Sequence, residues 1–441
     1  MLFLVQRASI KNMFISQKCL SKFEKCASYN HFDYRVSFSN VRKKIEYESY
    51  IEKHSFKPFI KFIAYQQKYN IKKKRHKKTR VLNYASHYDK CIYQYYSLLV
   101  NNKYDDYVEK NGINEIAIAY RQNLRKTNIH FAKKAFSFIK ENPESIVFVG
   151  DFTDFFDNLD HEYLKVQLCK VFNIEKLPKH LYNVYKSITK YSYVEQDELK
   201  KTMLNEGIVE GKKIIIPMNL LRKFKGIIHK NDHSCGVPQG ISLSAILSNV
   251  YMIEFDKNCL NLAGRYNGIY LRYCDDFIFV FPNQKIVNVY YLYQKIIEKV
   301  DSIPNLKLSI DKTRIYYCEK NCVQSCEKEI GGLENSKNSI DYLGFNYNGR
   351  NVSIRDKTIG KYYYRMYNKI ETINHNRKIN KGGFGKNNLY QLYSDKGCKI
   401  KKNFLTYVKN CVRIFGKSER VHLLLNTHYG RIKKRLKRGM H

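Results

Sequence analysis

The sequence predicts an α+β fold in which buried antiparallel strands end in acidic residues. Residues 269–281 read I-Y-L-R-Y-C-D-D-F-I-F-V-F, so apolar β-forming residues flank two adjacent aspartates, as in a buried hairpin with an acidic turn. Residues 146–149 form a second short apolar strand that runs directly into Asp151. Between these two stretches, the residues after Gly240 have the spacing of a helix that is buried on one face.

The charge of the chain predicts a polyanionic partner. Its 441 residues are enough for two or three domains, and 79 Lys and Arg face 40 Asp and Glu, which leaves a net charge of +39. Phosphate contacts with such a surface release counterions, so nucleic acid is favoured over membrane. The 38 Tyr and 25 Phe residues could stack on bases, but core packing and a biased composition account for most of them.

Cysteine usage and hydropathy indicate a cytoplasmic location. The chain has 12 cysteines without a convincing secretion signal, which indicates free thiols in a reducing compartment. No apolar run reaches the length of a membrane span. Cys318, Cys322 and Cys326 recur at four-residue intervals, which predicts one helical face, but a zinc or iron-sulfur site would want tighter pairs and a fourth ligand. We therefore assign no metal to these cysteines.

The N-terminal part is expected to be a basic helical extension, residues 1–80. Residues 1–23 lack acids and are expected to form a helix and loop, with a transit peptide as the alternative. Residues 24–80 are expected to be helical and end in the basic run 72–80. That run could grip an RNA backbone, form a solvated loop or serve as a nuclear signal.

The remaining regions are assigned by their patterns. Residues 81–150 mix helical and extended pieces, and residues 165–230 read as a helical insertion. After a turn at Asn348-Gly349, which closes a hairpin over residues 341–354, residues 357–441 are expected to be helical. Their glycine stretch, 382–385, lacks the Lys-Ser/Thr of a phosphate-binding loop and is interpreted as a linker.

The acidic hairpin turn is the strongest chemical signal. Asp275 and Asp276 repel each other and each loses hydration, so a pair of acids in this setting is costly unless a cation compensates. Hard divalent cations prefer carboxylate oxygens, and paired ions serve in-line phosphoryl transfer. Asp151 could join the same site only if its strand lies beside the hairpin. The alternative is an acidic turn without chemistry.

Three motifs in one order closely resemble the palm of reverse transcriptases. They are a strand ending in Asp151, the turn Pro238-Gln239-Gly240 followed by a helix, and the hairpin box Tyr273-Cys274-Asp275-Asp276. Each motif alone is weak, whereas their order is specific. The resemblance implies a right-hand polymerase with fingers at residues 81–150, an antiparallel-sheet palm at 151–356 and a helical thumb at 357–441.

The resemblance also implies roles for individual residues. Asp151, Asp275 and Asp276 would be catalytic and would hold two Mg²⁺ ions, while Cys274 would be a variable position and not a nucleophile. The remaining residues would bind nucleotide: Phe156 as a steric gate against the ribose 2′-hydroxyl, Gln239 along the incoming nucleotide, Lys312 of Leu308-Ser309-Ile310-Asp311-Lys312-Thr313 near the phosphates, and Arg121 on the triphosphate or template. Residues 341–345, D-Y-L-G-F, resemble the primer grip.

Two features of the resemblance bear on the sugar preference: the gate position and the hairpin box, which reads Tyr-x-Asp-Asp and not Gly-Asp-Asp. RNA-dependent RNA polymerases use a second acid shortly after the first to bind the 2′-hydroxyl, and Asp157 is close to that spacing. Phe156 nevertheless occupies the gate position in the reverse-transcriptase register, so deoxynucleotides are expected.

Tyr120-Arg121 and residues 128–133, N-I-H-F-A-K, narrow the resemblance to bacterial defence-associated reverse transcriptases, an unassigned group near the abortive-infection enzymes. This implies an RNA-directed DNA polymerase that adds dNTPs to a primer 3′-hydroxyl in antiviral defence. The expected partners are an RNA template, such as a dedicated noncoding RNA, a DNA product, and a partner protein or a second copy of the chain. Untemplated or protein-primed DNA synthesis is one alternative, and an RNA-binding maturase or scaffold is another. Three uncompensated acids in a basic cleft argue against the scaffold.

Overall fold

The chain forms two compact units of helices and mainly antiparallel sheets, which confirms the α+β prediction. This computed structural model describes residues 23, 27–70, 74–121, 123–331, 334–379, 386–397, 402–417, 419–424 and 428–438, and the side chains of 66–78 are outside the description. The expectations for residues 1–22 and 382–385, and for most side chains of the basic run 72–80, therefore lie outside the described residues.

The described elements follow one another along the chain as listed here. The strands are β1 Phe59–Asn70, β2 Lys74–Tyr84, β3 Ser145–Gly150, β4 Ser192–Glu195, β5 His229–Lys230, β6 Ile269–Tyr273, β7 Asp276–Pro282, β8 Arg314–Glu319, β9 Cys322–Ser325, β10 Ile340–Tyr342, β11 Phe345–Tyr347 and β12 Val352–Ile354. The helices are α1 Phe38–Ile45, α2 Glu48–Glu52, α3 His87–Lys110, α4 Asn128–Glu141, α5 His161–Phe172, α6 Lys179–Thr189, α7 Gln196–Asn205, α8 Met218–Leu221, α9 Ser242–Tyr251, α10 Ile253–Gly264, α11 Val289–Asp301, α12 Asp356–Lys378, α13 Lys386–Tyr393, α14 Phe404–Phe415 and α15 His428–Arg438.

The first unit comprises residues 1–114, 153–257 and 300–307. Its sheet has the order β2-β1-β4-β5, in which β1 pairs antiparallel with β2 and parallel with β4. Buried apolar residues such as Ile60, Val194 and Leu221 form a core on this sheet. Helix α9 forms where the sequence predicts a helix. It packs against α3 and α5 and buries eight of its ten residues, so its burial is not confined to the one face that was expected.

The second unit comprises residues 115–152, 258–299 and 308–441. Its five-stranded antiparallel sheet has the order β6-β7-β3-β8-β9, and a separate three-stranded sheet has the order β10-β11-β12. Strand β3 lies at the centre of the larger sheet, and all six of its residues are buried. Helix α4 contributes an apolar stripe, including Ala132, Phe136 and Ile139, to a core shared with both sheets and with α14.

Three expectations about secondary structure were wrong. Among the described residues of 24–80, helix is confined to α1 and α2, because residues 59–70 and 74–84 pair as the long antiparallel strands β1 and β2. The three cysteines do not share a helical face, because Cys318 lies on β8, Cys322 begins β9 and Cys326 follows it. The predicted turn at Asn348-Gly349 does close a hairpin, β11–β12, but that hairpin does not begin at residue 341, because a second turn separates β10 from β11.

No helix within the described ranges has the combination of length and apolar character that crossing a bilayer requires. The division into fingers, palm and thumb stays a prediction.

A buried carboxylate fixes the C-terminal part of the second unit. Glu419 is 7% exposed and accepts hydrogen bonds from the backbone N–H of Val352 on β12 and from the ammonium of Lys140 on α4. The residues that follow form the 3-10 turn Arg420–Leu424, which packs on β12 and α14. Glu419 therefore joins three elements that are remote in sequence.

We expect Glu419→Ala to lower the free energy of unfolding by about 1–3 kcal/mol, because the N–H of Val352 would lose its buried acceptor. Urea denaturation measures this change. Glu371→Ala is the control, since the Glu371 side chain is 70% exposed and its Oε1 is 3.9 Å from Nη1 of Arg435. This variant should change the free energy of unfolding by less than about 0.5 kcal/mol. Equal effects of the two substitutions would contradict the assignment.

Candidate active site

The acidic hairpin has the predicted form. Strands β6 and β7 pair antiparallel, with Tyr273 opposite Asp276, so Cys274 and Asp275 form a two-residue turn. Cys274 has φ 62°, a left-handed conformation that costs a non-glycine residue about 1–2 kcal/mol. Two contacts hold it there: Arg272 Nη1 donates to the Cys274 carbonyl at 2.9 Å, and Tyr120 Oη donates to Cys274 Sγ at 3.3 Å. Backbone strain is thus held at the acidic turn by the buried Arg272 and by the half-exposed Tyr120.

The strand that carries Asp151 lies beside this hairpin, as the hypothesis of a shared site requires. Strands β3 and β7 pair antiparallel, with Gly150 opposite Phe277. Continuing the register by one residue places Asp151 opposite Asp276. The Asp151 carbonyl accepts a hydrogen bond from Ser309 N at 2.8 Å, which also fixes this strand end to the segment that precedes β8.

Gly150 permits the close approach of these strands. A Cβ at Gly150 would lie 2.2 Å from the Phe277 ring. That ring is 1% exposed and contacts the rings of Phe152 and Phe279, so it has no free space into which to turn. Any side chain at residue 150 would force apart the two strands that carry the acids.

Lys312 lies directly on the acidic site. It ends the 3-10 turn Ile310–Lys312, and its Nζ is 2.7 Å from Oδ1 of Asp151. The Lys312 side chain is 48% exposed and that of Asp151 is 18% exposed, so the ammonium faces solvent while the carboxylate is largely enclosed. The structure therefore brings together four of the predicted site residues: Asp151, Asp275, Asp276 and Lys312.

The three carboxylates affect one another electrostatically. Burial, followed by the charges of Asp275 and Asp151, raises the pKa of Asp276 to about 7, while Arg355 and Lys312 act in the opposite direction. Burial also raises the pKa of Cys274 to about 12, which keeps the thiol protonated and agrees with the expectation that it is no nucleophile.

The predicted primer-grip residues form the turn between β10 and β11. Leu343 and Gly344 have φ of 48° and 92°, as in the two-residue turns that suit the twist of a hairpin. Asn128 Nδ2 donates to the Leu343 carbonyl at 3.0 Å, and Arg355 N donates to the Gly344 carbonyl at 3.0 Å. The Arg355 guanidinium pairs with Asp341, so the turn is held from both sides.

The donors at this site fit a hard divalent cation. Asp151, Asp275 and Asp276 offer only carboxylate oxygens, which are the ligands that Mg²⁺ prefers. Their mutual effect on the pKa of Asp276 shows excess negative charge that a cation would relieve. In the part of the chain that the structure describes, no group of three or more His, Cys, Asp or Glu side chains has an arrangement that would hold a metal ion as it stands. The ammonium of Lys312 meanwhile contacts one of the donor oxygens.

Arg121 is placed differently from the expectation of an accessible ligand. It is 5% exposed, and its Nη1 donates to the Ala117 carbonyl at 3.2 Å. The preceding segment pairs with β6, because Ile118 N and the Ile116 carbonyl bond the backbone of Arg272. The nucleotide contact of Arg121 stays a prediction.

Phe156 and Gln239 belong to the first unit. Phe156 lies in the 3-10 turn Phe155–Asp157, and its carbonyl accepts from Val237 N at 2.9 Å. Gln239 Nε2 donates to Oδ2 of the exposed Asp157 at 3.4 Å. The structure therefore brings the predicted gate segment and the predicted nucleotide turn together.

Sequence reasoning missed Arg272, Tyr120 and Arg355. Arg272 is fully buried beside the acidic turn, although an arginine within an apolar strand could have indicated a buried charged partner. Tyr120 was noted only as part of the subfamily resemblance. Tyr120 and Arg355 both reach the site from segments remote in sequence, and no local pattern predicts their contacts there.

The chain is similar to known proteins over most of its length. The profile of the family described as reverse transcriptase (RNA-dependent DNA polymerase) matches residues 71–347. No curated protein matches the chain.

Among solved structures, the chain is similar to Candida albicans telomerase in complex with a TWJ fragment of telomeric RNA. Identity is 13%, the TM-score is 0.39, and 91% of this chain and 60% of the telomerase are covered. Apo telomerase from Candida tropicalis, truncated from its C-terminal domain, gives 13% identity and a TM-score of 0.40, with 76% and 64% covered. The chain thus spans less than two thirds of the length of these telomerases.

We expect Gly150→Ala to lower the free energy of unfolding by about 1–3 kcal/mol, because the added methyl group overlaps the enclosed Phe277 ring. Gly360→Ala is the control. Gly360 lies in α12 with no atom within 4 Å of an added Cβ, so this variant should be neutral or stabilised by up to about 1 kcal/mol. Thermal unfolding measures the stability of both variants. If Gly150→Ala were as stable as the wild type, the strands would have room to adjust to the added methyl group.

Proposed function

We propose, from the premise that this chain belongs to the reverse transcriptase family, that it copies an RNA template into DNA by adding dNTPs to a primer 3′-hydroxyl. One observation carries the proposal. The pairing of β3 with β7 supports a single acidic site built from Asp151, Asp275 and Asp276, with the ammonium of Lys312 beside it. Positioned acids and a cation are the main requirements of phosphoryl transfer.

The acids of this chain are proposed to bind two Mg²⁺ ions. When bound, the ions supply Lewis-acid stabilisation of the attacking and leaving oxygens. Lys312 carries three exchangeable protons beside Asp151, so it can neutralise a polyphosphate and donate a proton to the leaving pyrophosphate. Buried Arg272 and half-exposed Tyr120 hold the turn that presents Asp275, which keeps the carboxylates in place.

The sugar preference is assigned to Phe156. It follows Asp151 by five residues, and the bond from Val237 N to its carbonyl supports its backbone. The aromatic ring excludes a 2′-hydroxyl by bulk, which favours deoxynucleotides. Gln239 lines the nucleotide from the neighbouring turn.

The partners and biological role are inferred from charge and resemblance. A net charge of +39 supports binding of an RNA template and its DNA product through their phosphates. The resemblance of Tyr120-Arg121 and residues 128–133 to bacterial defence enzymes supports a role in antiviral defence, with a noncoding RNA and a partner protein or second copy.

We expect Asp275→Asn with Asp276→Asn to lower DNA synthesis by about a thousandfold or more, because these substitutions remove charges that act in the transition state. The wild type and the double variant are purified with their bound nucleic acid and incubated with Mg²⁺ and labelled dNTPs. The Asp395→Asn variant is the control, since Asp395 is 66% exposed and pairs with Lys409 on the surface.

Labelled DNA complementary to a bound RNA, made by the wild type and the control alone, would support templated reverse transcription. DNA of random or simple sequence would favour untemplated synthesis instead. Bound RNA without synthesis by any of the three proteins would overturn the proposed activity and favour a scaffold.

We expect Phe156→Ala to reduce the preference for dNTPs over NTPs by about ten- to a hundredfold, because the bulk against the 2′-hydroxyl is lost. Kinetics with dTTP and UTP on one template-primer give the ratio of kcat/KM values. The Asp395→Asn variant is again the control, since Asp395 lies on the surface, and it should leave the ratio unchanged. If Phe156→Ala left the ratio of kcat/KM values unchanged, Phe156 would not be the steric gate.

A further inference from the structure

We infer that His161 is a positioning residue for the nucleotide turn, and that through this turn it sets KM for dNTP and the sugar preference. The inference rests on the proposed function. His161 is the first residue of α5 and is 5% exposed. It lies in the first unit together with the turn and the gate segment.

Backbone hydrogen bonds join the turn to the gate segment. Val237 N donates to the Phe156 carbonyl, Gly236 N donates to the Leu159 carbonyl, and His161 N donates to the Ser234 carbonyl, each at 2.9 Å. The turn and the gate segment are therefore held side by side by backbone hydrogen bonds. A shift of the turn changes the support of the gate residue.

The side chain of His161 fixes the centre of this pairing. Gly236 has φ 91°, and a Cβ there would lie 3.0 Å from the Asp157 carbonyl oxygen, so the chain turns tightly at this glycine. The Gly236 carbonyl accepts a hydrogen bond from His161 Nε2 at 2.8 Å. A carbonyl oxygen can only accept, so Nε2 carries the proton. Burial lowers the pKa of His161, which agrees with a neutral ring in this tautomer.

The position of Gly236 is transmitted to Gln239 over a short and restrained path. Only Val237 and Pro238 separate the two residues, and the proline ring restricts the backbone. The Pro238 carbonyl accepts from Ser244 Oγ at 2.8 Å. Gln239 then has two restraints of its own, since its carbonyl accepts from Asn83 N at 2.9 Å and its amide donates to Asp157.

His161 therefore acts on the reaction through the turn and not through contact with the nucleotide. Its Nδ1 is buried and has no hydrogen-bond partner among the described residues, so Nε2 accounts for the polar role of the ring. Without the Nε2 donor, the remaining side-chain donor near the Gly236 carbonyl would be Asn231 Nδ2, at 3.5 Å. This amide already donates to the Thr189 carbonyl at 2.8 Å. We expect the turn to shift toward that weaker partner.

Three variants of the full-length protein test the inference. His161→Leu removes the donor, and His161→Gln retains an N–H donor at the end of a side chain of similar reach. His180→Leu is the matched control, because His180 is also buried near the start of a helix in the same unit and bonds Tyr96 Oη at 2.8 Å. Steady-state kinetics with dTTP and UTP on a poly(rA)/oligo(dT) substrate give KM, kcat and the sugar preference. The Kd of dTTP is measured separately with a dideoxy-terminated primer.

We expect His161→Leu to raise KM and Kd for dTTP by about tenfold and to reduce the dTTP/UTP preference by a similar factor, with a smaller change in kcat. His161→Gln should restore all three to within about threefold of the wild type. His180→Leu should lower thermal stability about as much as His161→Leu does, but should leave KM and Kd for dTTP and the dTTP/UTP preference unchanged.

The inference is overturned if His161→Leu and His180→Leu both lower only the active fraction or kcat, because His161 would then be a structural residue. It is also overturned if folded His161→Gln shows the same defect as His161→Leu. A wild type that binds dTTP without incorporating it would refute the proposed function, while the Kd values would still decide the role of His161. A wild type that neither binds nor incorporates dTTP would overturn both.

Discussion

The antiparallel pairing of β3 with β7 is the constraint on which the active site depends. It brings carboxylates from remote parts of the sequence to one edge of a buried sheet, where like charge and lost hydration disfavour the ionised forms. The raised pKa of Asp276 is the direct expression of that conflict, and Lys312 and Arg355 only partly offset it. The fold therefore holds an unfavourable arrangement of acids in place through apolar packing around Gly150 and Phe277. This is the arrangement that a functional site for cations requires.

Much of this arrangement could be predicted because each motif is contained in one short run of sequence. Residues 269–281 show their strands and their acidic turn directly, and residues 146–149 show a buried strand that ends in Asp151. Their adjacency was predicted from chemistry, since a shared site requires neighbouring strands. The pairing confirms that geometric requirement, while the roles of the individual acids remain for experiment.

The features that escaped prediction depend on partners remote in sequence. Residues 59–84 are rich in Lys, Gln and Tyr and lack a clear apolar alternation. Residues 59–70 and 74–84 nevertheless form strands, because β1 pairs with β2 and also with β4 at residues 193–195. The cysteine spacing fits a helix, but the tight turn at Lys320 and Asn321, with Asn321 at φ 63°, folds the same residues into a hairpin. In both regions tertiary pairing overrides the local pattern.

The role proposed for His161 illustrates why positioning residues are hard to find in a sequence. A lone histidine in an amphipathic stretch is more often a satisfied structural residue than a functional one, and its partner here is a backbone carbonyl that has no side-chain signature. The same bonds that place Gly236 also join the turn of Gln239 to the segment of Phe156. If the proposed role of Phe156 holds, exclusion by bulk needs a ring that cannot move aside, so selectivity would depend on this backbone pairing as much as on the ring itself. The candidate residue could be proposed from the sequence, whereas the backbone bonds that support it are visible only in the fold.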